Sequence, residues 1–135
     1  MGTITTEVKE MEFVDCVDNN IFLKSIFPSG VGDVLVGQFG LDQGQFSLNI
    51  HVFKKPFKEV AKWGVWGVNY DAIVIKLLGA GVSDIKIDNW NGFVPAPLKC
   101  WVRGNRLFLS CQTEEQVFEI SCFGLAFQSG STYIN

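Results

Sequence analysis

The one histidine of the chain, His51, is the side chain best suited to general-base catalysis near neutral pH. It lies on the polar side of an alternating run, where Ser47 and Asn49 share its face. Nucleophilic catalysis needs a nucleophile beside the base and a carboxylate that orients the base, and strand neighbours two residues apart do not supply this arrangement. We therefore interpret His51 as a surface residue and expect the protein not to be an enzyme.

Two carboxylates, Asp84 and Asp88, lie four residues apart on one side of a predicted strand. Paired carboxylates can hydrolyse glycosides, but alternating exposed charges also protect an edge strand from aggregation, and we favour the second interpretation. The glycine-bearing segments 30–32 and 79–81 lack the helix and the lysine that a phosphate-binding loop requires. We expect no metal and no cofactor.

The chain contains four cysteines, at positions 16, 100, 111 and 122. They form no CxxC pair and have no histidine close by in the sequence, so neither a zinc motif nor a redox motif is indicated. We interpret them as reduced thiols that pack in the core as small apolar groups. Reduced cysteines are typical of the cytoplasm, which is the location we expect.

The stretch 98–122 organises the predicted fold. Gly104-Asn105 lies between two alternating runs and predicts a two-residue hairpin loop, because both residues tolerate positive φ. This register sets Trp101 opposite Phe108, and a second loop at 112–116 continues the pattern into a third run. The apolar face shared by the three runs comprises Leu98, Cys100, Val102, Leu107, Leu109, Cys111, Phe118, Ile120 and Cys122.

The opposite, outer face of this meander carries Trp101 and Phe108 among charged side chains. Aromatic residues surrounded by charge are typical of protein-binding patches. The same pattern occurs where a helix packs across the second face of a sheet, and residues 20–27 could form that helix. The sequence leaves both interpretations open.

Periodicity and turn residues predict the other elements. A short helix occupies residues 20–27, with Asp18 or Asn19 as its cap and Pro28 after its end. The loop 40–44 joins the first two strands, and 54–69 is a loop with a helical turn. Strands outside the meander are predicted at residues 33–39, 45–53, 70–78, 82–90 and 124–133.

Sequential hairpins are expected to join these strands, so that 82–90 turns back at 79–81 with Ile85 and Ile87 pointing inward. The predicted fold class is mainly β (α+β): a curved antiparallel sheet of seven to eight meander-connected strands with one or two short helices. We expect residues 1–135 to form a single domain, with 1–18 as a marginal strand or an ordered arm.

Composition and charge exclude several classes of protein. Hydrophobic residues make up 47% and charged residues 19% of the chain, which is typical of a globular protein. The net charge of −3 and the pI near 5.0 argue against nucleic acid as a partner. The longest apolar run is interrupted by Lys76, and the N-terminus lacks the apolar region of a signal peptide, so we expect no association with a membrane.

The order of these features is similar to that of a known family. The matching features are a helix that ends in a Pro-Ser turn (20–29), a hairpin (33–53), Pro56 and Trp63 before a hydrophobic strand (69–78), a valine-led strand that ends at Trp90, and a meander with a cysteine-bearing strand (118–122) and a terminal Tyr133. Residues 19–135 thereby resemble the bacterial immunity proteins of polymorphic toxin systems catalogued as immunity protein fifty.

This resemblance implies a small cytoplasmic protein that binds a cognate toxin domain and occludes its active site or a surface that the toxin needs. Aromatic anchors would supply the affinity, and charge would set the association rate and the choice of partner. An acidic inhibitor suits a basic nuclease toxin. From the residues themselves, we expect the partner-binding surface to comprise Trp101, Phe108, Asp84, Asp88, Glu114, Glu115 and Glu119.

Other functions are set against this one. A small-ligand-binding β-domain would carry polar groups among the apolar residues under its sheet, where the meander offers only cysteine sulfur. A structural or assembly module would pair through the edge of its last strand, at residues 125–133. Exposed tryptophans would also suit a carbohydrate-binding domain. The expected oligomeric state is a monomer or a homodimer.

Overall fold

A computed structural model describes residues 8–135 of the chain. In this part, ten strands, one α-helix and three short 3₁₀ turns form the fold. The strands are β1 (Val8–Met11), β2 (Val17–Asp18), β3 (Asp33–Asp42), β4 (Gln45–Val52), β5 (Ala72–Ala80), β6 (Asp84–Asp88), β7 (Ala96–Arg103), β8 (Arg106–Gln112), β9 (Val117–Cys122) and β10 (Gly124–Tyr133). The helix is α1 (Ile21–Ile26), and the 3₁₀ turns are Phe13–Cys16, Ala61–Trp63 and Trp90–Gly92.

The strands belong to one mixed sheet in the order β2-β10-β5-β4-β3-β7-β8-β9-β6, with β1 beside β7. Neighbouring strands are antiparallel except β10 and β2, which are parallel. The predicted mainly β class is therefore confirmed, although the strands number ten in residues 8–135. The two additional strands, β1 and β2, lie in the predicted N-terminal arm, of which residues 1–7 are outside the described residues.

The sheet consists of two halves whose apolar faces meet. Pairing between residues 33–34 of β3 and 96–97 of β7 joins the first half-sheet (β2, β10, β5, β4, β3) to the second half-sheet (β1, β7, β8, β9, β6). Phe39 of the first packs edge-on against Phe118 of the second, with ring centroids 5.3 Å apart. The buried apolar side chains of both halves form one core.

The predicted meander is confirmed in its register. Gly104 and Asn105 form the β7–β8 loop, Gly104 has φ of 61°, and Trp101 pairs with Phe108. The third run, β9, pairs with β8 so that Phe118 lies beside Cys111. Local turn chemistry and alternation were sufficient to define these three strands.

Two local predictions need correction. The predicted loop 40–44 is wrong, because β3 and β4 extend to Asp42 and Gln45 and leave the two-residue loop Gln43-Gly44, in which Gln43 has φ of 54°. The predicted helix cap is also wrong. Asn20 occupies the N-cap position of α1, and its side-chain amide donates to the Val14 carbonyl rather than to the helix.

The predicted hairpin between β5 and β6 does not form. The chain turns at Gly81 and crosses to the second half-sheet, where β6 pairs with β9 and becomes the edge strand. Ile85 and Ile87 lie on the apolar side of that sheet, but they are 41% and 39% exposed because no further strand covers them in residues 8–135. The predicted inward direction is therefore confirmed, but the edge position of β6 leaves both side chains partly exposed.

Candidate functional site

Five adjacent strands contribute one row of side chains across the outer face of the second half-sheet. In order across the sheet, the row is Glu10, Trp101, Phe108, Ser121 and Asp84. The pairing of β6 with β9 brings Asp84 into this row, although it lies 17 positions before Trp101 in the chain. We refer to this outer face as the aromatic face.

Trp101 and Phe108 stack with their ring centroids 5.6 Å apart and their planes inclined by 5°. Both side chains are half-buried. Helix α1 does not cover them, because it packs on the first half-sheet, where Phe22 contacts Trp63 and Phe127 at centroid distances of 5.7 Å each. The alternative that the helix lies across the aromatic pair is therefore wrong.

A cavity of about 310 Å³ opens beside the aromatic pair. It lies where the small Ser121 separates Phe108 on one side from Asp84 on the other. The lining includes Trp101, Phe108, Asp84, Lys86, Glu119 and Ser121. Four of the seven predicted partner-binding residues therefore surround one cavity.

The carboxylate of Asp84 is held in place by hydroxyl groups. Its Oδ2 accepts hydrogen bonds from Ser121 at 3.1 Å and from Ser83 at 3.2 Å. Arg106 donates through Nη2 to both serine oxygens and lies with its guanidinium carbon 4.7 Å from the centroid of the Phe123 ring. These contacts preorganise Asp84, so that a partner group binding it loses less conformational entropy.

The other predicted acidic residues occupy three positions. Glu119 is in the cavity and accepts a hydrogen bond from Gln112 at 2.9 Å. Asp88 is on the same face of β6, two residues beyond Lys86. Glu114 and Glu115 lie outside the cavity, in the exposed β8–β9 turn. The structure therefore separates the predicted acidic set into a cavity pair and an outlying group.

Basic side chains alternate with acidic ones on the aromatic face. Across the second row, Lys99 and Lys86 flank Ser110 and Glu119. With Arg106 beside Asp84, the aromatic face has a mixed charge and is not uniformly acidic. A mixed pattern specifies the orientation of a partner more than it accelerates the encounter. Sequence alternation predicted the outward direction of these residues, but not that Ser83, Ser121 and Arg106 hold Asp84.

The histidine is remote from this face. His51 Nδ1 lies 2.8 Å from the Tyr133 hydroxyl on the first half-sheet. The imidazole also covers Gly37, where a Cβ atom would overlap Nε2. His51 therefore lies on the outward face of β4 as predicted, but it is half-buried there, and this burial lowers its pKa below 6.5.

The free energy of unfolding is expected to fall as the pH decreases through 6.5, because the unfolded chain binds the proton at His51 more strongly than the folded chain does. This decrease in the free energy of unfolding levels off once the pH is below the pKa of His51 in the folded protein. His51→Gln should show a smaller decrease in urea titrations between about pH 7 and about pH 5. Equal decreases in the two proteins would contradict this assignment.

The four thiols have different environments, and the expectation that all four are buried is wrong for Cys16, which is half-buried. All are free, and Cys100, Cys111 and Cys122 are fully buried on the predicted core face. Burial raises the pKa of Cys111 and the pKa of Cys122 to about 11 each. The Cys100 thiol contacts Cys16, and this hydrogen bond lowers the pKa of Cys16 and raises the pKa of Cys100.

Cys16 is expected to react with iodoacetamide at least about tenfold faster than the other thiols in the folded protein, since it is partly exposed and the buried thiols stay protonated. Mass spectrometry of peptides after timed alkylation measures the four rates. Cys16→Ser should abolish the fast reaction, and urea should equalise the remaining three. Rapid alkylation of Cys111 in the folded state would contradict its burial.

Within residues 8–135, no group of three or more His, Cys, Asp or Glu side chains is placed to hold a metal ion. The same residues include no helix with the length and apolar character needed to cross a membrane. Comparison of the chain with protein-family models, with curated proteins and with solved structures finds no significant match. The resemblance to immunity proteins therefore stays a prediction from the order of sequence features.

Proposed function

We propose that this chain is a cytoplasmic immunity protein that neutralises a cognate bacterial toxin domain by binding it through the aromatic face. The observation that supports the proposal best is the stacked Trp101–Phe108 pair on a sheet face that α1 leaves open. Large aromatic side chains beside a small cavity and surrounded by charge are typical of binding hot spots. Inhibition by occlusion requires no catalytic residue.

The charges around the pair suggest how a partner is oriented. Asp84 and Glu119 offer carboxylates to basic groups of the partner, while Lys86 offers an ammonium group to an acidic one. A basic nuclease domain suits the two cavity carboxylates, with Asp88 extending the surface along β6. Glu114 and Glu115 would contact the partner only at its rim, because they lie in the adjoining turn.

Affinity capture from the source cell tests this proposal, with tagged wild type and a Trp101→Ala/Phe108→Ala variant as baits. The captured partner is then expressed alone in a bacterial host and together with the chain. We expect the partner to contain a domain that is toxic when expressed alone, and we expect co-expression of the wild type to restore growth. The aromatic double variant should neither retain the partner nor restore growth.

The matched control is Ile21→Ala/Leu41→Ala, which truncates two exposed apolar side chains outside the aromatic face. This control should retain the partner and restore growth. Thermal unfolding must show that each variant is folded. A folded aromatic variant that still neutralises the toxin would exclude the aromatic face, and a captured partner without toxicity would exclude the immunity function.

The second candidate function is small-ligand binding, which the cavity favours because its volume of about 310 Å³ reaches the lower limit of small-molecule sites. The cavity lies on the outer face and not under the curved sheet. A thermal shift produced by a small molecule, and lost in Phe108→Ala, would favour this function.

A structural or assembly module would instead pair through the edge of β10. Strand β2 pairs with β10 only at residues 125 and 126, so the later residues of β10 are the ones that could pair with a second copy. Such pairing would appear as a concentration-dependent dimer in gel filtration.

A further inference from the structure

The connection between β4 and β5, residues 53–69, concentrates positive charge in an acidic chain. It contains four of the eleven basic residues and one acidic residue, Glu59, so that its formal charge is +3 and the remaining residues carry −6. The four lysines are exposed: Lys54, Lys55, Lys58 and Lys62. Within residues 8–135, the one ion pair closer than 4.0 Å joins Lys24 to Asp15, so no direct pair neutralises these lysines.

Apolar side chains project from the same connection. Phe57 is 82% exposed and Val68 is 69% exposed, and Val65 is exposed as well. Ile21, on the side of α1 that faces away from the core, is 82% exposed. Exposed apolar side chains of this size among lysines are characteristic of interfacial contacts with lipid.

The connection is ordered by contacts with its neighbours. The Phe57 amide donates to the Ile26 carbonyl at 2.8 Å, which ties the projecting ring to the end of α1. Val65 and Asn69 form two mutual hydrogen bonds, and the Trp63 ring packs edge-on against Phe22. The backbone that carries the projecting side chains is therefore held in place before any partner binds, which reduces the entropy lost on binding.

We propose that residues 53–69 dock on the surface of a lipid bilayer that contains anionic lipids. The lysines would lie against the headgroups, where each contributes about fivefold to partitioning, and Phe57 would enter the interfacial region. A fluid bilayer accepts singly projecting side chains without a complementary shape, whereas a protein partner needs a surface that is complementary to them. A peripheral contact of this kind needs no membrane-spanning segment.

Acidic residues near the connection limit the strength of this contact. Glu59 lies within it, Asp15 pairs with Lys24, and Glu12 lines a cavity with Lys24 and Phe27. The docking should therefore depend on anionic lipid and weaken with salt. The proposal departs from the expectation that the protein has no membrane contact. It does not depend on the proposed toxin binding, because it uses the β4–β5 connection and not the aromatic face.

Sedimentation with sucrose-loaded vesicles tests the proposal on the full chain. The vesicles contain phosphatidylcholine alone, or equal parts of phosphatidylcholine and phosphatidylglycerol. We expect binding to the mixed vesicles only, with a loss of at least about 25-fold in Lys55→Glu/Lys58→Glu. The control Lys9→Glu/Lys76→Glu has the same net charge as the Lys55→Glu/Lys58→Glu variant, but its substitutions are at exposed positions outside the connection. Its binding to the mixed vesicles should therefore fall by less than about threefold.

Phe57→Ser tests the contribution of the apolar side chain to vesicle binding, and it should lower partitioning into the mixed vesicles by about tenfold. The control Leu41→Ser should leave this partitioning unchanged. Three outcomes would overturn the proposal. These are equal binding to both kinds of vesicle, no binding to mixed vesicles at low salt, and mixed-vesicle binding that survives the Lys55/Lys58 reversal. Salt-sensitive self-association without lipid, abolished by that reversal, would also overturn it in favour of a second copy as the occupant.

Discussion

Phe118→Ala is expected to lower the free energy of unfolding by about 4 kcal/mol, because it leaves a cavity at the junction of the two half-sheets. The ring is fully buried, packs edge-on against Phe39 at 5.3 Å, and lies 6.4 Å from the Trp90 ring. It therefore contacts both β3 and the turn that precedes β7. Urea-induced unfolding followed by tryptophan fluorescence and by circular dichroism measures the change.

The matched control is Phe57→Ala, since Phe57 is exposed and its removal should change the free energy of unfolding by less than about 0.5 kcal/mol. Phe118→Leu fills most of the volume of the phenylalanine ring and should lower the free energy of unfolding by less than about 2 kcal/mol. If Phe118→Ala were as stable as Phe57→Ala, the apolar faces of the half-sheets would not pack against each other as described. The test concerns the fold and needs no partner.

Trp101→Ala is expected to weaken binding of the partner at least about 30-fold, as truncation of a central aromatic anchor typically does. The indole stacks on Phe108 and lines the cavity, so its loss removes a contact surface and leaves one side of Phe108 uncovered. Isothermal titration calorimetry with the captured partner measures the dissociation constant. This prediction rests on the proposed function.

Two further variants separate the contribution of the aromatic ring to binding affinity from the contribution of charge. Trp101→Phe keeps a ring beside Phe108 and should lose less affinity than Trp101→Ala. Asp84→Asn removes the charge of an exposed carboxylate and should weaken binding by about fivefold or less. A larger loss in Asp84→Asn than in Trp101→Ala would contradict an aromatic anchor and would identify charge as the main source of affinity.

The candidate site was predictable in part. The facing positions of Trp101 and Phe108 follow from the Gly104-Asn105 loop and from alternation, both of which act over a few residues. The position of Asp84 beside them was not predictable in this way, because alternation reports the direction of a side chain and not the strand that lies next to it. The glycine-bearing segment 79–81 is compatible with a hairpin turn, yet β5 continues to Ala80 and the chain then crosses to β9.

The exposure of β6 was not predictable for the same reason, because alternation does not report which strand lies next to another. Ile85 and Ile87 have the pattern of buried residues, and they do lie on the apolar side, but the sequence contains no signal that their strand forms the edge. The interpretation of α1 was similarly open, because an amphipathic helix of six residues fits either half-sheet. The contacts of Phe22 with Trp63 and Phe127 show that α1 packs on the first half-sheet.

The sequence by itself determined the mainly β class, the register of the β7–β8–β9 meander, the core direction of its cysteines and the aromatic pair on the outer face. These features depend on turn residues and on a period of two, which neighbouring residues specify. The tertiary structure alone decided the order of the ten strands in residues 8–135, the edge position of β6, and the cavity formed by Asp84, Ser121 and Phe108. These features arise because the two half-sheets must close over one core, and this requirement selects strand partners that are far apart in the chain.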